Sequence, residues 1–152
     1  MRALKFFPLL CLLAFFNATA ASAPNAKVVK VLPQFLDKEG RHALSPSLFD
    51  RDAYQAQLRR RPEQRGGLRF AVQWKGPNAT PLKLRVELRG ARGTEPTNAV
   101  LEESVEHRGH FSKWTTLEMA GDKYKEFGEL IAWRITLSDG SKQLAEQKSF
   151  LW

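Results

Sequence analysis

From Glu129 the chain reads Glu-Leu-Ile-Ala-Trp-Arg-Ile-Thr-Leu, then Ser-Asp-Gly-Ser, then Lys-Gln-Leu-Ala-Glu-Gln-Lys-Ser-Phe-Leu-Trp to Trp152. Ile131, Trp133, Ile135 and Leu137 recur at every second position, with Ala132, Arg134 and Thr136 between them. Period two marks a strand with one buried face and one wet face. Asp139-Gly140 follows at once, a dipeptide suited to a tight hairpin turn. The spacing therefore predicts a hairpin whose second strand runs through Phe150-Leu151-Trp152 and completes a sheet. A strict turn at Asp139-Gly140 would pair Trp133 with Glu146 and Ile131 with Lys148, placing two charges on the core face. A register shifted by one would place Gln143, Ala145, Gln147 and Ser149 there instead. Neither register satisfies both strands throughout, so a longer loop or a β-bulge is expected in the last strand, which reads as an edge strand.

The same alternation recurs upstream. Leu68, Phe70, Val72 and Trp74 alternate with Arg69, Ala71 and Gln73, and Leu82, Leu84, Val86 and Leu88 alternate with Lys83, Arg85, Glu87 and Arg89. Lys27–Leu32 reads as a first edge strand that bends or stops at Pro33, with Asp37-Lys-Glu-Gly40 as a turn beyond it. Gly90–Thr97 reads as loop, Leu101–Glu106 as a weaker strand, Arg108-Gly109 as a turn, Lys113–Met119 as a strand and Ala120–Phe127 as a helical turn. One longer helix is expected at 50–61, with Asp50 as N-cap, Phe49 stapled onto Tyr54 and Arg59, Arg60 and Arg61 at the negative end of its dipole before Pro62. Glu63 to Gly67 reads as loop. The expected core comprises Phe70, Val72, Trp74, Leu84, Val86, Leu88, Ile131, Trp133, Ile135 and Leu137.

Residues 1–20 have the form of a secretory signal peptide: a positive Met1-Arg-Ala-Leu-Lys start, an apolar Phe6–Phe16 core and a small-residue Ala18-Thr19-Ala20 cleavage site. Export to the periplasm or cell exterior is the expectation, with no membrane span in the mature chain. The one cysteine, Cys11, lies inside that segment, so the mature chain holds no thiol and must be stabilised by core burial. A single domain over 21–152 is long enough for one such core. Without Arg2 and Lys5 the formal charge falls from +8 to +6, with 22 basic against 16 acidic residues.

Six or seven short strands between turn signals predict an all-β sandwich with the helix near 50–61 inserted, a small β-barrel being the alternative. Trp74 in an early strand, together with Tyr124 and the passage Trp133-Arg134-Ile135-Thr136-Leu137-Ser138-Asp139-Gly140, is similar to exported bacterial immunoglobulin-like and fibronectin-III-like domains. That resemblance implies adhesion, scaffolding or partner-binding roles. The chain departs from antibody-type domains in lacking a cysteine pair, and from the usual pattern in carrying the inserted helix.

Local signatures of catalysis are missing from the sequence. There is no Gly-x-Ser-x-Gly, and Gly66-Gly67 precedes a strand without the lysine of a phosphate loop. Glu102-Glu103 are adjacent on a strand and point to opposite faces. Ser45, Ser47 and Ser112 have neighbours that capping and turns explain. No enzymatic activity and no cofactor are expected. A metal site would draw on His107 and His110, with Glu103, Glu106 or His42 completing it, but His-Arg-Gly-His is not a zinc spacing. Asn78-Ala79-Thr80 matches the N-glycosylation acceptor. The expected function is a non-catalytic binding module of the envelope or exterior, its partner a protein or an anionic polymer rather than an intracellular nucleic acid. Two alternatives remain: an anionic-polymer binder using Arg59, Arg60, Arg61 and Arg65, and a small hydrolase or metal protein around the His107–His110 turn. Convergence of those arginines with Arg69 or Arg85 on one surface would favour the polymer.

Overall fold

A computed structural model describes residues 26–78 and 81–152. The expected signal peptide, Cys11 and two of the three acceptor residues at Asn78-Ala79-Thr80 lie outside the described residues. Among the described residues seven strands form two antiparallel sheets. The first holds β1 (Lys27–Asp37), β2 (Arg65–Lys75) and β5 (Lys113–Ala120) in the order β1-β2-β5. The second holds β3 (Leu82–Arg92), β4 (Glu95–Val105), β6 (Glu129–Asp139) and β7 (Lys142–Lys148) in the order β4-β3-β6-β7. Helix α1 (Leu48–Arg60) joins β1 to β2, and α2 (Asp122–Phe127) joins β5 to β6. In constant-type immunoglobulin domains the fourth strand pairs with the fifth. Here it pairs with the third and belongs to the other sheet.

The period-two faces of β2, β3 and β6 meet between the sheets. Phe70, Val72, Trp74, Leu84, Val86, Leu88, Ile135 and Leu137 are all buried in one cluster, as their alternation requires. Trp133 packs at the rim of that cluster, edge-on to Phe70 across the interior at 6.4 Å. The Trp74 indole N–H reaches Thr115 Oγ1 at 2.9 Å, so the largest core ring keeps its polar atom paired.

Ile131 departs from expectation: it is half-exposed. The β3–β6 register shifts so that Arg89 pairs with Ala132 while Gly90 pairs with Leu130, leaving Ile131 as a bulge residue turned outward. Gly90 sits where a Cβ would collide with the Phe127 ring, so α2 packs onto a bare stretch of β3 there. The expected bulge in the last strand is present. Leu137 pairs with Ala145 but Ser138 with Gln143, so Leu144 is the extra residue, and both Leu144 and Ala145 become buried.

The turn itself is Gly140-Ser141, one position later than expected, because Asp139 pairs with Lys142. Gly140 at φ 55° takes the first central position, the glycine-first pattern of a II′ turn. The tail is a second correction. β7 ends at Lys148, Phe150 is fully exposed, and Trp152 turns back beside Arg89 and Arg134, whose guanidinium carbons lie 4.0 and 4.8 Å from its ring centre. Cation–π attraction on the wet sheet face holds the chain end in place of the expected strand.

Strand β1 runs through Pro33 to Asp37 instead of stopping, and β2 begins at Arg65 inside the expected loop. The expected loop at 90–97 is the end of β3, a two-residue Gly93-Thr94 turn and the start of β4. The turns at Gly40 and Gly109 and the helical turn before β6 lie where the sequence puts them. Among the described residues no helix is long and apolar enough to cross a membrane.

Candidate functional site

The inserted helix α1 is tied to β1 by polar side chains rather than by a broad apolar face. Ser47, not Asp50, is its N-cap, accepting from the Asp50 N–H, so the helix starts before Asp50 and Phe49 stands exposed instead of stapling Tyr54. Tyr54, Gln55 and Leu58 are its buried residues. Tyr54 donates to Asp37 Oδ2 at 2.6 Å, and Arg41 reaches the same carboxylate through its backbone N–H at 2.7 Å and its Nε at 2.7 Å. Burial alone would raise the Asp37 pKa; the donors from Tyr54 and Arg41 overcome it and hold it at about 2.

Gln55 completes the attachment. Its Oε1 accepts from Phe35 N–H at 2.8 Å, and its Nε2 donates to the Phe35 carbonyl at 2.9 Å and the His42 carbonyl at 2.8 Å. Both backbone groups of Phe35 therefore point away from β2, and a side-chain amide takes the place of a neighbouring strand. In the same uninterrupted register Pro33 and Val31 also face outward, and Pro33 has no N–H to leave unpaired. The β1 edge is blunted along this half.

The four arginines expected to bind do not act as one group. Arg65 is buried: its Nε and Nη2 donate to the Leu58 and Arg59 carbonyls at the end of α1, and its Nη1 pairs with Glu129 at 2.7 Å. Its guanidinium also lies over the Phe35 ring at 4.0 Å. It holds the helix C-terminus to the sandwich. Arg59, Arg60 and Arg61 are exposed and form no ion pair among the described residues. Arg69 lies on the outer face of the three-stranded sheet with His42 and Glu118, whereas Arg85 lies on the other sheet, paired to Glu102. The basic residues are scattered over opposite faces.

The two histidines of the β4–β5 loop also differ. His107 is buried, with Nε2 donating to the Phe111 carbonyl at 2.9 Å and its ring packed against Trp74. Its Nδ1 has no partner among the described residues. His110 is exposed, Glu106 pairs with Arg108, and His42 accepts from Arg69 at 2.6 Å; burial first, and then the Arg69 charge, lower the His42 pKa. No group of three metal-ligating side chains forms among the described residues.

The surface that stands out is the β4 edge. Arg92 and Glu95 close a two-residue turn and so exchange both backbone hydrogen bonds; alternation then turns Pro96, Asn98, Val100 and Glu102 away from β3. The same alternation carried across β3 and β6 makes the Trp133 carbonyl face β7, where it accepts Ser149 N–H at 2.9 Å. Eleven residues of β4 pair with β3 without a register shift, and its middle, Thr97–Leu101, carries no charge. Beside it a groove of about 380 Å³ runs between β4 and α2, floored by Met119 and Phe127 and walled by Ala99, Leu101, Lys123 and Glu126. Sequence reasoning missed this edge because Pro96, Asn98 and Ala99 are poor strand formers. The signal that could have found it is the outward proline, followed by alternating Thr97, Ala99 and Leu101.

Comparison with known proteins found no matching family model, curated protein or solved structure.

Proposed function

We propose that the chain is a non-catalytic interaction module of the cell envelope or exterior that engages a protein partner through the β4 edge and its groove. One observation carries this reading: β4 presents a long edge, regular in register and uncharged from Thr97 to Leu101, with its proline confined to its start, while β1 is blunted mid-strand by proline and a helix, β5 is shorter, and β7 is short, bulged and bounded by Lys142 and Lys148. Proteins that do not use an edge blunt it. A photo-crosslinking amino acid placed at Val100 in the producing cell should yield a discrete protein adduct, and the same group at Lys142 should not. Equal adducts at both positions, or none at Val100, would contradict the reading.

A second reading, an anionic polymer, is favoured by a groove of about 380 Å³ between α1 and β1, where Arg51 and Arg59 line one wall. Arg59→Glu should then weaken retention on a dextran-sulfate matrix more than Lys142→Glu. Equal effects would mean that only net charge acts.

A further inference from the structure

Resting on the protein-partner reading, we infer that β4 binds its partner by strand addition, and that the partner is an extended segment of pattern cation-x-apolar-x-apolar lying antiparallel to β4. The outward N–H and C=O groups of Asn98, Val100 and Glu102 supply the ladder. Residues directly opposite one another in a sheet point to the same face. Partner residues opposite Ala99 and Leu101 therefore enter the groove over Met119 and Phe127, where apolar side chains fit. Two residues further on, on that same face, stands Glu103, exposed and without an ion pair among the described residues. Glu102 beside it is already held by Arg85 at 2.8 Å and Lys83 at 3.5 Å, so the free negative charge is Glu103. Lys123 and Glu126, three residues apart on α2, bring opposite charges to the helix wall and so no net charge, which leaves the Glu103 end as the place for a cation. Antiparallel addition continues the alternation of the whole sheet and sets the order of the pattern.

The test uses the purified protein and a dye-labelled, amidated peptide, Gly-Lys-Thr-Leu-Thr-Val-Thr-Gly, read by fluorescence anisotropy. Saturable binding is expected, and the peptide of reversed order should bind about tenfold more weakly. N-methylation of the middle threonine, whose N–H would face Val100, should abolish binding; N-methylation of the leucine, whose N–H would face away, should not. Glu103→Lys should cost about tenfold, regained when the peptide lysine is replaced by glutamate. Val100→Pro removes only an outward N–H and should abolish binding with an unchanged melting curve. Indifference to N-methylation would overturn strand addition while leaving a Val100 adduct, and the interaction reading, intact. Loss of peptide binding together with concentration-dependent dimers that Val100→Pro dissolves would assign the edge to a second copy. No adduct and no peptide binding would remove both proposals.

Discussion

Two outer strands of this sandwich, β1 and β4, have the same length and opposite treatment. At β1 the outward Phe35 amide and carbonyl are taken by Gln55, Pro33 offers no donor, and α1 is anchored over the strand by Asp37, Tyr54 and Arg65. At β4 the outward groups of Asn98 and Val100 have no hydrogen-bond partner among the described residues, and a groove floored by Met119 and Phe127 runs alongside. The contrast shows where specific side chains maintain the fold and where backbone is left open. The inserted helix therefore serves as an edge cover, and of the arginines that look functional in the sequence Arg65 is one of its fastenings.

Removing a fastening should have the largest effect. Arg65→Met leaves the Leu58 and Arg59 carbonyls and Glu129 without their donor and should cost about 3 kcal/mol in urea unfolding. Gln55→Ala unpairs the Phe35 and His42 groups, some of which water can reach, and should cost about 2 kcal/mol. A loss below about 0.5 kcal/mol in either variant would mean the β1 edge needs no cover.

Tyr54→Phe is a milder break, about 1 kcal/mol at neutral pH. It also carries a pH signature. The folded Asp37 pKa is depressed, so its contribution is fully present above the unfolded value of about 4 and is lost as pH falls towards about 2. Without the Tyr54 donor that loss should begin at higher pH in an acid titration of stability. An unshifted acid limb would show that Arg41 alone holds the carboxylate.

Much of the fold was legible because alternation is a local signal. Leu68 to Trp74 and Leu82 to Leu88 announce their buried faces, and the conflict between Trp133 and Glu146 announces a bulge before the structure places it at Leu144. What was not legible depends on partners distant in sequence. Ile131 keeps the period yet is turned outward, because the β3–β6 register shifts beside Gly90, where Phe127 packs against bare backbone. Arg65 reads like part of a basic cluster until the end of α1 and Glu129 close around it. Trp152 has the composition of a core plug but finds two guanidinium groups on the wet face. The β4 strand was hidden by Pro96, Asn98 and Ala99, which weaken its local signal, and its openness follows from the sheet order.

The smallest stability effects should fall at the open edge. Val100→Lys replaces a half-exposed side chain whose backbone N–H points outward, and should change unfolding free energy by less than about 0.5 kcal/mol. A loss above about 2 kcal/mol would mean that Val100 is a structural residue and that β4 is not an open edge.

Native-state hydrogen exchange read residue by residue compares the two edges in one experiment. The Phe35 amide should be protected in the parent and lose protection in Gln55→Ala, while the Asn98 and Val100 amides exchange fast beside slow Ala99 and Leu101. Slow exchange at Val100 matching that at Leu101, or fast exchange at Phe35 in the parent, would contradict the claim that one edge is covered and the other open.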